Sequence, residues 1–72
     1  MNNKEKIGNV EIELNGKSFV IGVDTFSHED WLEGYFETDE ESIKHAAKRG
    51  GEMLKMHAYN KEGKHLQDFG NF

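Results

Sequence analysis

The side chains with the most chemical potential in this chain are four histidines, His28, His45, His57 and His65. A metal centre needs ligands that one helical turn or one strand pair brings to a point, as in HExxH, and the zinc-finger and zinc-deaminase patterns also need cysteine. None of the four stands at such a spacing and the chain has no cysteine, so neither metal nor cofactor is expected. His57 and His65 fall on one face of a terminal hairpin near Tyr59, which the polar side of a sheet explains equally well. His45, one helical turn beyond Glu41, reads as half of a surface pair. Glu29, Asp30 and Glu33 offer paired carboxylates. Acid-base work, however, needs pKa values driven apart by burial, and a chain this short and polar has little depth for a pocket. Ser18, Ser27 and Ser42 have structural explanations, and Gly50-Gly51 follows a helix where a phosphate-binding loop would precede one. No catalytic residue is expected, and the chain reads as a non-enzyme.

Trp31, Tyr35 and Phe36 interleave with acids. Glu29, Asp30, Trp31, Glu33, Tyr35 and Glu37 together have the composition of an aromatic anchor in an acidic rim, which suits a partner protein with a basic surface. The competing assignment puts Trp31 and Phe36 in the core, since a small domain needs each of its large side chains there. Charge supports an acidic face: the formal net charge is -5, and residues 24–43 hold eight acids and no Lys or Arg. The same surface also has a solubilising explanation. Net negative charge disfavours generic binding to nucleic acid, because phosphate contacts need a local surplus of cations.

The elements that position these groups are legible in part. Seventy-two residues make one domain, near the size at which a single core only just outweighs chain entropy. Residues 1–8 read as a frayed end or an extension of the first strand. Val10, Ile12 and Leu14 alternate with Glu11 and Glu13 as in a half-buried strand, and Asn15-Gly16 predicts a hairpin. Its return strand, residues 18–24, would bury Phe19, Ile21 and Val23 and pair Ile12 with Phe19 or with Ile21, depending on loop length. Gly22 would point outward at a bend or close approach. Residues 25–37 fit either a helical turn capped by Ser27 or a loop through Asp30 followed by a strand; the aromatics and Gly34 favour the strand.

Thr38 and Glu41 form a capping box. Asp39 and Glu40 lie at the positive end of the helix dipole, Lys44, Lys48 and Arg49 toward the other, with Ile43, Ala46 and Ala47 as a narrow apolar stripe. Gly50 or Gly51 is expected in the left-handed conformation that ends the helix. Residues 52–59 alternate as a strand, with Leu54, Met56 and Ala58 on one face. Asn60-Lys61-Glu62-Gly63 reads as a type I turn closing a hairpin with residues 64–69, in a register that sets Ala58 opposite Leu66 and His57 opposite Gln67. The predicted fold is α+β: an antiparallel sheet of four to five strands with one α-helix packed on one face.

The run FETDEESIKHAAKRGGEMLKMHAYNKEGKHLQDFG, about half of the chain, resembles small uncharacterised bacterial and prophage domains in which Thr-x-x-Glu opens a helix, a strand follows and a Gly-containing hairpin closes the chain. The resemblance implies a hairpin, helix, hairpin order and an association with bacteria and their phages. It carries no functional residue across, and the acidic stretch ahead of the helix departs from the group's basic or neutral front half.

The function expected is that of a small binding protein, encoded by a phage or mobile element, engaging a host protein through its acidic aromatic surface as an inhibitor or a mimic of DNA charge. One alternative is a nucleic-acid-binding module using Lys44, Lys48, Arg49, Lys55, Lys61 and Lys64. Another is an accessory domain that self-associates through an edge strand, so that monomer and homodimer both remain open. With no signal-like or membrane-spanning apolar run in the sequence, a cytoplasmic location is expected.

Overall fold

The computed structural model describes residues 3–70. Six strands and one helix follow in the order β1 (Lys4–Ile7), β2 (Val10–Glu13), β3 (Ser18–Asp24), β4 (Glu29–Phe36), α1 (Asp39–Arg49), β5 (Leu54–Tyr59) and β6 (His65–Phe69). The class is the α+β one expected. An antiparallel sheet in the order β4-β3-β5-β6 forms the middle layer, and β1-β2 is a separate two-stranded hairpin.

The first hairpin differs from expectation. β2 pairs with β1, Ile7 opposite Val10, through Gly8-Asn9. Gly8 has φ +61 and Asn9 is not among the positive-φ residues, the pattern of a two-residue turn with glycine first. At Asn15-Gly16 only Gly16 takes positive φ, so the type I′ turn does not form. Instead the Asn15 side chain accepts the Lys17 amide at 3.2 Å, and the chain leaves the hairpin to enter the sheet as β3. β2 therefore lies over β3 rather than beside it. Ile12 meets Phe19 and Ile21 in one core cluster, by packing across layers and not through the expected strand pairing.

β3 is buried on both faces. Phe19 and Ile21 face the hairpin, while Val20 packs with Ala46 of α1 and with Met56 and Ala58 of β5. Full burial of side chains of this size contributes roughly 1.5–3 kcal/mol each. Gly22 is buried, not outward: a Cβ there would sit 2.8 Å from the Trp31 indole, so the close approach is real and lies inside. Residues 29–36 are strand, which settles the ambiguity of that segment.

Helix α1 begins as its sequence predicts. The Thr38 side chain accepts the Glu41 amide at 3.1 Å, with Asp39, Glu40 and Glu41 in the first turn and Lys48 and Arg49 in the last. The reciprocal half of the box differs, since the Glu41 carboxylate takes the Thr38 hydroxyl at 3.3 Å. The buried face is Ser42 and Ala46 with Ile43 beside them, whereas Ala47 is exposed. Ser42 tolerates burial because its hydroxyl donates to the Asp39 carbonyl at 2.8 Å.

The expected left-handed glycine is absent. Gly50 is extended, with φ -62 and ψ 140, and donates its amide to the Ala46 carbonyl; Gly51 is not at positive φ either, and Met53 is, at φ 60. Gly50 is required by space, since a Cβ there would lie 2.9 Å from Cβ of Phe69 on β6 and 3.0 Å from the Gly70 amide nitrogen, while one at Gly51 would meet nothing within 4 Å. Gly50→Ala is expected to cost about 1–3 kcal/mol through this overlap and Gly51→Ala less than about 0.5 kcal/mol. Urea unfolding of the two variants checks this, and equal losses would contradict it.

Candidate functional site

The six residues expected to form an acidic aromatic surface lie on or just past β4, which is an outer strand of the sheet. Strand alternation would place Trp31, Glu33 and Tyr35 on one side. A bulge intervenes: Ile21 pairs with Leu32 and Val20 with Gly34, leaving Glu33 without an opposite residue. The extra residue flips the pleat. Trp31, Glu33 and Phe36 serve the helix side, while Leu32 and Tyr35 pack with the cluster under the hairpin.

On the helix side the Glu33 carboxylate collects four donors. Oε2 accepts Trp31 Nε1 at 2.6 Å and Arg49 Nη2 at 3.3 Å, and Oε1 accepts His45 Nε2 at 2.8 Å and Arg49 Nε at 3.2 Å. His45 thus pairs across to β4 instead of with Glu41, and its ring lies 4.9 Å from that of Phe36. The Glu33 side chain is only 9% exposed. Burial pushes its pKa up, but hydrogen bonds from Arg49, Trp31 and His45 and the Arg49 charge outweigh this and hold it down to about 2.

On the hairpin side, Asp30 Oδ2 accepts the Asn9 amide at 3.0 Å. The Tyr35 hydroxyl donates to the Glu13 carbonyl at 2.9 Å and accepts the Glu13 amide at 3.2 Å. Asp30 and Tyr35 therefore fasten the β1-β2 hairpin to the sheet, as Glu33, held by the Trp31 indole, fastens α1. Glu29 and Glu37 remain exposed; Glu37 is 73% exposed and 3.4 Å from Lys17.

The exposed aromatic is Phe26, a residue that the sequence reading passed over. It is 77% exposed, and Met53, 56% exposed, is the other large apolar side chain left out in solvent among the described residues. Their loops touch, because the Thr25 amide donates to the Met53 carbonyl at 2.9 Å. Phe26 sits on a built loop: Asp24 Oδ1 accepts the amides of Phe26 at 2.9 Å and Ser27 at 3.2 Å, and the His28 amide returns to the Asp24 carbonyl at 2.8 Å. The Ser27 and Phe26 amides hold the Asp24 pKa below the ordinary carboxylate range. Asp followed by three polar or aromatic residues between two strands was the available sequence signal for this turn.

Two further features bear on chemistry. A cleft of about 250 Å³ lies between the N-terminus of α1 and the β5-β6 turn, lined by Ser18, Glu37, Thr38, Asp39, Lys61 and Glu62 among others. Its Ser18 hydroxyl is already committed to Asp39 Oδ1 at 2.5 Å. At the outer edge of the last hairpin, Asp68 Oδ1 is hydrogen-bonded to both His57 Nδ1 and His65 Nε2. Here the expected register shifts by one. Tyr59 faces His65 as predicted, but Leu66 is bulged, so Ala58 faces Gln67 and His57 faces Asp68.

The linkage of Glu33 is directly testable. Its pKa lies below the unfolded value, so the stability it contributes is present above about pH 4.5 and is lost as pH falls toward about 2. The shift corresponds to on the order of 2–3 kcal/mol after allowance for the half-exposed Arg49. Glu33→Gln should lower stability at pH 7 by that order and flatten the acid limb, the two proteins converging near pH 2. Chemical denaturation from pH 7 to pH 2 checks it; parallel curves would contradict it.

The chain matches no protein-family model, no curated protein and no solved structure. Among the described residues no helix is long and apolar enough to cross a membrane.

Proposed function

We propose that the chain is a small protein-binding module that docks the end carrying Phe26 and Met53 onto a partner with an apolar pocket edged by cations. The observation that carries this reading is the exposure of Phe26 on a loop pinned by its own hydrogen bonds. A solvent-exposed aromatic held in one backbone conformation loses little chain entropy on binding, which favours affinity. A lone exposed apolar side chain needs no explanation, but two large ones on loops joined by a backbone hydrogen bond make the start of a patch. The rim supplies the sign of the partner: residues 24–30 and 50–54 contain Asp24, Glu29, Asp30 and Glu52 and no Lys or Arg.

This reading keeps the aromatic anchor in an acidic rim and moves the anchor from Trp31 to Phe26. Glu29 stays in the rim. Trp31, Glu33 and Tyr35 act indirectly, by holding the strand from which the loop springs.

The probe is a displayed peptide library with random positions flanked by Lys and Arg. The native chain is expected to select peptides with a central large apolar residue. Phe26→Ser should weaken the selected peptides about tenfold or more while leaving the midpoint of thermal unfolding unchanged. Rising salt should weaken them further. Peptides that bind Phe26→Ser as well as the native chain would overturn the proposal, as would selection without any preference for basic flanks.

A further inference from the structure

We infer that His57, His65 and Asp68 form a binding site for a divalent ion of the zinc, cobalt and nickel class. The three present one ligand atom each, Nδ1, Nε2 and a carboxylate oxygen, and these atoms all lie within 4.8 Å of one another. Ligands at metal bond lengths of about 2.0–2.2 Å stand roughly 3–3.5 Å apart in tetrahedral or octahedral geometry, so small rotations of the half-exposed His65 and Asp68 about the more covered His57 convert the trio into a coordination shell. Two imidazoles with one carboxylate suit borderline divalent ions rather than calcium or magnesium, which favour all-oxygen shells.

The backbone builds this convergence. In a regular strand His65 and Asp68, three residues apart, would point to opposite faces. The bulge at Leu66 absorbs one residue, returns Asp68 to the face of His65 and sets it directly across from His57. The rings of His57 and His65 lie 6.2 Å apart, and His65 stands edge-on to Tyr59 at 5.5 Å, while Tyr59 stacks on the buried Phe19 at 5.1 Å. The site thus rests on a strand anchored in the core. His57 is mostly covered and His65 and Asp68 are about half exposed, so an ion has an open approach and water can fill its remaining positions.

Binding replaces the hydrogen bonds between the two imidazoles and Asp68: the ring nitrogen that faces the carboxylate binds the ion through its lone pair, its proton passing to solvent from a cationic ring or, in a neutral ring, being exchanged through solvent for one on the other ring nitrogen. Because the ligands come from both strands of the hairpin, the ion would cross-link β5 to β6.

The test is calorimetric titration of the chain with zinc chloride in a non-coordinating buffer, paired with nickel chloride added to a sample observed by NMR. One ion per chain is expected. Nickel should selectively broaden the ring signals of His57 and His65, leaving those of His28 and His45 sharp, a readout that needs no variant. His65→Ala and Asp68→Asn should each weaken zinc at least tenfold, and His28→Ala should not. No saturable binding below about 1 mM zinc, broadening centred on His28 or His45, or undiminished affinity in both site variants would overturn the inference and leave the trio as a hydrogen-bonded ornament of the sheet.

Discussion

The fold depends on covering β3 from both sides. A 72-residue chain has few large apolar side chains, and it places Phe19 and Ile21 on one face of the central strand and Val20 on the other. One eleven-residue helix cannot shield both faces. The β1-β2 hairpin supplies the second cover, with Ile12 fully buried against Phe19 and Ile21. The result is three layers, hairpin, sheet and helix, in which the central strand supplies three of the seven buried apolar side chains among the described residues and the outer layers are thin.

Thin layers need fastening, and β4 does this from the edge. Its bulge at Glu33 lets one strand serve both covers: Asp30 and Tyr35 reach the hairpin backbone, while Glu33, held by the Trp31 indole, reaches His45 and Arg49 of α1. Glu33 is the polar centre of the helix side. A carboxylate buried with one partner would destabilise the sheet, but four donors satisfy both oxygens and bind strand, helix and indole together. Side chains occupied in this way are the frame, and the hydrogen-bonded loop beyond them, residues 25–28, leaves Phe26 in solvent.

How much of this the sequence carries varies by element. Thr38, Glu41 and the graded charges of the helix act within one or two turns, so α1 was legible. That β3 and β5 are strands was equally legible, as was the turn at Gly63, whose φ is +84; that β3 is buried on both faces, with Val20 and Gly22 inside, was not. Of Gly8-Asn9 and Asn15-Gly16, seven residues apart, only the second was expected to close a hairpin, as the stronger local signal. The first wins because a short hairpin can then lie across Phe19 and Ile21, a tertiary gain. The bulges at Glu33 and Leu66 were not legible, since they answer to packing on opposite faces of the sheet. Each bulge redirected side chains: one divided the acidic and aromatic residues of β4 between two layers, and the other brought Asp68 to the two histidines. Phe26 was missed because exposure is a property of the folded chain alone.

The hairpin is an integral cover for β3 and not an appendage. Equilibrium urea unfolding of Ile12→Ala measures this directly. If the hairpin closes the second face, the substitution opens a cavity against Phe19 and Ile21 and costs about 2–5 kcal/mol in one cooperative transition. A loss below about 0.5 kcal/mol, the range of ordinary surface positions, would mean that β3 does not need its second cover, and the three-layer account would be wrong.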